Sequence, residues 1–170
     1  MTDAQLTEHR AAKDRFLRDS PQSPLRPEDR PGFDGLPYFD EDPTLRFVVR
    51  PDDVEPTAVV IGTTIGDERT YERVATVTIE LAGTSHRLAL FSTGHPGYFL
   101  PFRDETSGDE TYGAGRYLDL SPNPDGSVTV DFNYAYAPFC AYNDAYSCAL
   151  PPPENWLDTP IRAGERTPIE

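Results

Sequence analysis

The sequence predicts a mainly β fold, an antiparallel β-sandwich or partly open β-barrel with one N-terminal helix and a proline-rich wrapping arm. Three observations predict it. From residue 45 onward, short runs of β-branched and aromatic residues alternate with polar ones. One segment, at the N terminus, carries convincing helical spacing. No strand–helix–strand spacing and no internal repeat occurs, which argues against a parallel sheet or a solenoid.

Taken in order, residues 3–19 read as an amphipathic helix. Leu6, His9, Ala12, Phe16 and Leu17 recur at helical spacing, Thr2 with Gln5 fits a capping box, and Pro21 ends it. Residues 20–43 hold Pro21, Pro24, Pro27, Pro31, Pro37 and Pro43, so they form neither regular helix nor central strand. Phe33, Leu36, Tyr38 and Phe39 give this arm an apolar side with which to lie along the core. Residues 44–133 are the expected β core. Its strands are Leu45–Arg50, Ala58–Thr63, Tyr71–Leu81, Ser85–Phe91, Tyr98–Phe102, Ala114–Leu120 and Val128–Phe132. Ala75, Val77, Ile79 and Leu81 share one face, and Ala82-Gly83 reads as a tight hairpin turn. Residues 134–170 form an aromatic, cysteine-bearing segment and a proline-bounded tail that folds back through Trp156 and Leu157. The whole, residues 1–170, reads as a single domain, a size that can bury a core without disulfides or metals.

Charge excludes some functions. There are 29 Asp and Glu against 15 Lys and Arg, a formal net charge of −14. Such a surface repels phosphate backbones and anionic lipid, so neither nucleic acid nor a membrane surface is an expected partner. Lys13 is the only lysine. Abundant carboxylates with almost no lysine match halophilic adaptation, since salt screens self-repulsion and lysine exposes a long apolar stem. Residues 1–18 are charged throughout and lack the apolar stretch of a secretory leader, so a cytoplasmic location is expected. The two cysteines are then expected as free thiols.

Two stretches could carry chemistry. In residues 97–120, Arg116 alternates with the apolar positions Ala114, Leu118 and Leu120, which points it inward. An inward arginine needs an acid partner or a ligand. Gly113 and Gly115 leave room beside it, Tyr112 adds a hydroxyl, and Arg103 is a second cation. Together they could hold a carboxylate or phosphate in a sheet-lined pocket. Pairing of Arg116 with Asp104 or Asp131 is the structural alternative. In residues 131–148, Tyr134, Tyr136, Phe139, Tyr142 and Tyr146 surround Cys140 and Cys148. Cys140 could serve as a nucleophile or redox thiol with His95 as its base. The alternatives are two small buried hydrophobes, a disulfide, or zinc held by Cys140, Cys148 and His95, although no CxxC spacing is present. No metal is therefore expected, no motif names a cofactor, and the glycines fit no nucleotide fingerprint.

Several runs resemble a family of bacterial and archaeal proteins, the domain of unknown function 1684. They are KDRFLR at 13–18, SPL at 23–25, FDGLPYF at 33–39, FRDET at 102–106, TYGAGRYL at 111–118 and DFNYAY at 131–136. CAYN at 140–143, Cys148, LPPPEN at 150–155 and AGE at 163–165 continue the match. Ala149 stands where the resemblance leads one to expect proline, and Trp156 where it leads one to expect arginine. The resemblance implies one unit from helix to tail and brings no established activity. The leading expectation is thus a small anionic ligand at Arg103, Tyr112, Gly113, Gly115 and Arg116. A cysteine-dependent enzyme or redox protein at Cys140, and a protein-interaction module using the aromatic patch, are the alternatives.

Overall fold

The computed structural model describes residues 3–167. Helix α1 (Ala4–Asp19) opens the chain. Asp3 caps it, its Oδ1 accepting the Gln5 N–H at 2.9 Å, while Thr2 lies outside the described residues. Ser20 N–H closes the last turn on Phe16 O at 3.0 Å. The buried stripe differs from the expected one. It runs Leu6, Arg10, Lys13, Leu17, whereas His9 and Ala12 face out. Two cations in the stripe hide its period. Their stems lie against the body and their heads sit over aromatic rings, Arg10 at 4.3 Å from the Tyr38 centroid and Lys13 at 4.8 Å from that of Tyr136.

The arm wraps as expected. Leu25 and Leu36 join Leu17 and Tyr142 in a small second core under the helix. Asp14 accepts the Leu36 N–H at 3.0 Å, and Ser23 Oγ donates to Leu17 O at 2.6 Å. These bonds give an otherwise irregular backbone its partners.

Seven strands follow, in two antiparallel sheets. Strands β1 (Arg46–Val49) and β7 (Val128–Asp131) pair as a two-stranded sheet. The other five are β2 (Asp52–Gly62), β3 (Glu68–Leu81), β4 (Thr84–Ser92), β5 (Tyr98–Phe102) and β6 (Arg116–Leu120). They pair in chain order as a meander, and the sheets stay open rather than closing into a barrel. Strand bounds depart from the expected ones for local reasons. The β2 strand starts at Asp52, because a register shift between Asp53 and Thr57 absorbs Pro56. The β6 strand starts at Arg116, because Gly115 N–H turns back on Tyr112 O. Ala82 and Gly83, with φ of 50° and 79°, make the tight β3–β4 turn.

Between the sheets, Ala75, Val77, Ile79 and Leu81 are buried against Leu88, Leu90, Leu100, Phe102 and Phe132. Each such large side chain contributes about 1.5–3 kcal/mol when fully removed from water. The tail completes this core through Leu157, Ile161 and Ala163. Trp156 does not; it is 53% exposed. Asn155 instead is fully buried where β4 and β5 diverge. Its Oδ1 accepts the Ala89 N–H at 2.7 Å, and its Nδ2 donates to Ala89 O at 3.0 Å and Pro101 O at 2.9 Å. The LPPPEN run therefore ends on a residue that fills a gap in the sheet with side-chain bonds.

Candidate functional site

Arg116 does point inward, and its side chain is fully buried. Its two terminal nitrogens are taken by the tail, while its buried Nε has no hydrogen-bond partner among the described residues. Nη1 donates to Ala163 O and, at 3.1 Å, to Glu165 O, while Nη2 donates to Ile161 O at 2.8 Å. Asp104 Oδ1 lies 3.5 Å from Nη2, and the Phe102 ring covers one face of the guanidinium at 5.3 Å. Burial pulls the Arg116 pKa down, and Asp104 opposes that shift. The same Asp104 accepts the Ile161 N–H at 2.6 Å and the Thr106 hydroxyl at 2.8 Å.

The neighbours expected to shape an anion pocket sit elsewhere. A Cβ on Gly115, whose φ is +100°, would meet Phe102 O at 2.6 Å and Pro151 Cγ at 2.8 Å. The space beside it is filled by the chain itself. Gly113 packs on the Gly108 backbone. The Arg103 guanidinium lies over the Trp156 ring at 5.3 Å, outside the Arg116 cluster. Tyr112 turns to the cysteines. Arg103, Tyr112 and Arg116 thus do not converge on one cavity, and the mechanical reason is that the C-terminal tail occupies the place a ligand would take.

The cysteines do converge. Cys140 lies on a 3₁₀ turn (Phe139–Ala141), and its N–H donates to Cys148 Sγ at 3.3 Å. Both sulfurs are unbridged and buried. The Cys148 thiol and the Tyr112 and Thr64 hydroxyls are the polar groups around the Cys140 sulfur, and the Thr64 hydroxyl also donates to Tyr146 O at 3.3 Å. Chiefly through the Cys148 thiol, these donors bring the Cys140 pKa down to about 6, against the upward push of burial. The same bond raises Cys148, so the pair gives up one proton readily and holds the second. His95 plays no part in this. It is exposed in the β4–β5 turn and is not among the groups acting on Cys140. The base expected from sequence is replaced by a second thiol and two hydroxyls. Nor do Cys140, Cys148 and His95 form a ligand set; no metal-holding group of His, Cys, Asp and Glu occurs among the described residues.

Cys148 is fixed from the opposite side. Its N–H donates to Thr64 Oγ1 at 3.2 Å, and its carbonyl accepts the Thr64 N–H at 3.1 Å. Residues 146–150 thereby run beside the β2–β3 connection. Cys148 and its neighbours border an open cleft of about 310 Å³. Tyr71, Phe99, Tyr117, Tyr136, Phe139 and Tyr146 give it aromatic walls, and Arg69 stands at its edge. Tyr71 stacks on Phe99 with centroids 5.8 Å apart, and Tyr117 meets Phe99 edge-on at 4.7 Å. From sequence, Cys148 is a candidate disulfide or zinc partner of Cys140, whereas the contributions of Thr64, Arg69 and Tyr71 were missed. They come from segments about 70 residues or more apart in the chain, without a shared motif.

The comparisons with known proteins bear on this geometry. A family model described as a protein of unknown function, DUF1684, matches residues 31–166. The chain belongs to that family. The match includes both cysteines, Tyr112, Thr64 and the cleft, whereas helix α1 precedes it. Among solved structures, the fold is similar to the solution NMR structure of an uncharacterized protein of Haloarcula marismortui. That similarity has a TM-score of 0.75 and 45% identity, and covers 98% of this chain and 94% of the other. It therefore takes in the helix and the tail as well. No protein of curated function matches. Among the described residues, no helix is long and apolar enough to cross a membrane.

Proposed function

We propose that the chain is a dithiol redox protein in which Cys140 and Cys148 cycle between two thiols and one disulfide beside the aromatic cleft. The observation that carries the reading is the Cys140 N–H donated to Cys148 Sγ at 3.3 Å, which brings together two sulfurs supplied by separately anchored segments. In the oxidative direction, the Cys140 thiolate, which is buried and does not itself line the cleft, attacks one sulfur of a substrate disulfide that enters past Cys148. The substrate S–S bond breaks and its other half leaves as a thiolate, which takes up a proton. Cys148 then loses its proton and attacks Cys140 Sγ in the mixed disulfide. The second half leaves as a thiol, and the Cys140–Cys148 bond remains. One disulfide is reduced to two thiols and one protein dithiol is oxidised; an external dithiol run through the same steps resets the site. The Tyr112 hydroxyl supports the thiolate without adding a competing base.

The acidic surface adds the setting to this reading. A net charge of −14 with one lysine suits a salty cytoplasm, where screening relieves self-repulsion and a reducing pool keeps the pair as thiols.

The test is equilibration with glutathione and glutathione disulfide at graded ratios, followed by mass-spectrometric mapping. A single two-electron transition that forms the Cys140–Cys148 bond is expected. Alkylation by iodoacetamide should show an inflection near pH 6 for Cys140. No intramolecular bond at any ratio, with an ordinary thiol inflection, would overturn the proposal.

A further inference from the structure

The cleft beside the dithiol contains one cation. Arg69 stands at its edge and forms no ion pair among the described residues. Its Nη2 donates to Ser147 O at 2.7 Å, which ties it to the residue before Cys148. The Tyr71 hydroxyl is its other neighbour in the cleft. Asp67 is the nearby acid, but its Oδ1 accepts from Thr63 Oγ1 and from Ser147 Oγ at 3.2 Å rather than pairing with the arginine. In a chain of 29 acids against 15 basic residues, most cations have a carboxylate within reach. Here one faces an aromatic cleft instead. Rings on both sides favour a flat or apolar body, and a planar guanidinium with free donors favours a carboxylate or a similar oxyanion.

We infer that the cleft selects an anionic disulfide or thiol with an aromatic or apolar body, its acid group held by Arg69 while its sulfur meets the Cys140–Cys148 pair. This rests on the dithiol reading and adds a substrate class to it. It also relocates the anion-binding expectation from Arg116, whose terminal nitrogens serve tail carbonyls, and Arg103, which lies over Trp156, to a cation that borders the cleft and keeps donors beyond its bond to Ser147 O. Because the Arg69 head is solvated, its effect is one of selectivity rather than tight binding.

Two aryl disulfides separate charge from shape: 5,5′-dithiobis(2-nitrobenzoate), which is anionic, and 4,4′-dithiodipyridine, which is neutral. Initial rates of Cys140–Cys148 bond formation are measured for both with wild type, R69Q and R69K, at one salt concentration and one pH. The rate ratio of anionic to neutral probe is expected to fall about ten-fold in R69Q and to be largely kept in R69K. If Arg69 serves only to brace Ser147, R69Q slows both probes alike and the ratio stays unchanged, which would overturn the inference while leaving the dithiol reading intact. If neither probe oxidises the wild-type pair, the dithiol reading itself fails, and the inference with it.

Discussion

Replacing Arg116 by methionine tests whether this arginine is a clamp or a ligand site. The variant removes a guanidinium that serves three tail carbonyls, those of Ile161, Ala163 and Glu165, and faces Asp104. Methionine has similar length and fills the space, so the cavity term is small. What remains is the cost of unpartnered groups. Asp104 keeps the Ile161 N–H and the Thr106 hydroxyl, so its carboxylate is not left bare. The three carbonyls lose a charged donor in a buried place. Breaking a buried pair on one side costs roughly 3–5 kcal/mol. For a chain of this size, each kcal/mol lowers Tm by about 2–4 °C, so a fall of roughly 6–20 °C is expected. Thermal melts by circular dichroism at fixed salt give the number, and limited proteolysis should show cleavage after residue 157 first. R116K should recover part of the loss, because an ammonium reaches fewer acceptors than a guanidinium fork. A loss under about 1 kcal/mol would refute the clamp. So would stabilisation of the wild type by small carboxylates or phosphate that disappears in R116M, since that requires an open anion site at Arg116.

Four more outcomes follow from the same geometry. C148A should shift the alkylation inflection of Cys140 upward from about 6 towards the ordinary thiol range, and Y112F should shift it less, because the Cys148 thiol is the larger donor. The linkage has a definite sign: a Cys140 held at about 6 adds stability above the unfolded-state thiol pKa, and that contribution is lost as pH falls through about 6. Cys148, shifted upward, works the other way and loses its contribution as pH rises beyond the ordinary thiol range, which pH-dependent urea melts would reveal. G115A should cost about 2–4 kcal/mol, since its φ of +100° and the 2.6 Å approach of Phe102 O leave no room for a Cβ, whereas G113A, 3.5 Å from Gly108 Cα, should be near neutral. K13M should destabilise by about 1–3 kcal/mol in guanidinium titrations, because it removes the cation 2.6 Å from Glu165 Oε2 while the Ala137 N–H and the Tyr142 hydroxyl still serve that carboxylate.

The fold was legible where period and turn chemistry agreed. The alternation in Ala75–Leu81 and the Ala82-Gly83 turn placed the central hairpin, and both hold in the register Leu81 to Thr84. Prolines placed the arm. Legibility failed where a polar side chain occupies an apolar position. Arg10 and Lys13 on the inner face of α1 moved the stripe by one residue from where His9 and Ala12 suggested it. Inward-pointing Arg116 was legible, but its partners were not, since carbonyls leave no trace in a sequence and all three belong to a tail that reads as coil. The cysteine pair was half legible. Its aromatic surroundings were evident locally, whereas Thr64, Arg69 and Tyr71 arrive through the β2–β3 hairpin.

The clamp and the dithiol are connected through one acid. Arg116 fixes the carbonyl of Glu165, and that residue's carboxylate accepts from Lys13, from the Ala137 N–H at 3.2 Å and from the Tyr142 hydroxyl. Tyr142 caps the 3₁₀ turn that carries Cys140, its N–H bonded to Phe139 O at 3.0 Å. Helix, tail and sheet therefore hold Cys140 from one side, through a chain of buried polar contacts. Cys148 answers to a different anchor, the β2–β3 connection at Thr64. Each sulfur thus belongs to its own rigid surroundings, and their separation is set by how those two packing units meet. A pair held this way can be kept close enough to share a proton without any CxxC loop to force it. Arg116 and the part-buried Lys13 then both act through Glu165 on the segment that carries the Cys140 turn. Their role is measurable in a double-mutant cycle. Coupling between K13M and R116M in stability, with both variants leaving the C148A shift of the Cys140 inflection unchanged, marks them as scaffold; a change in that shift would place them in the thiol machinery instead.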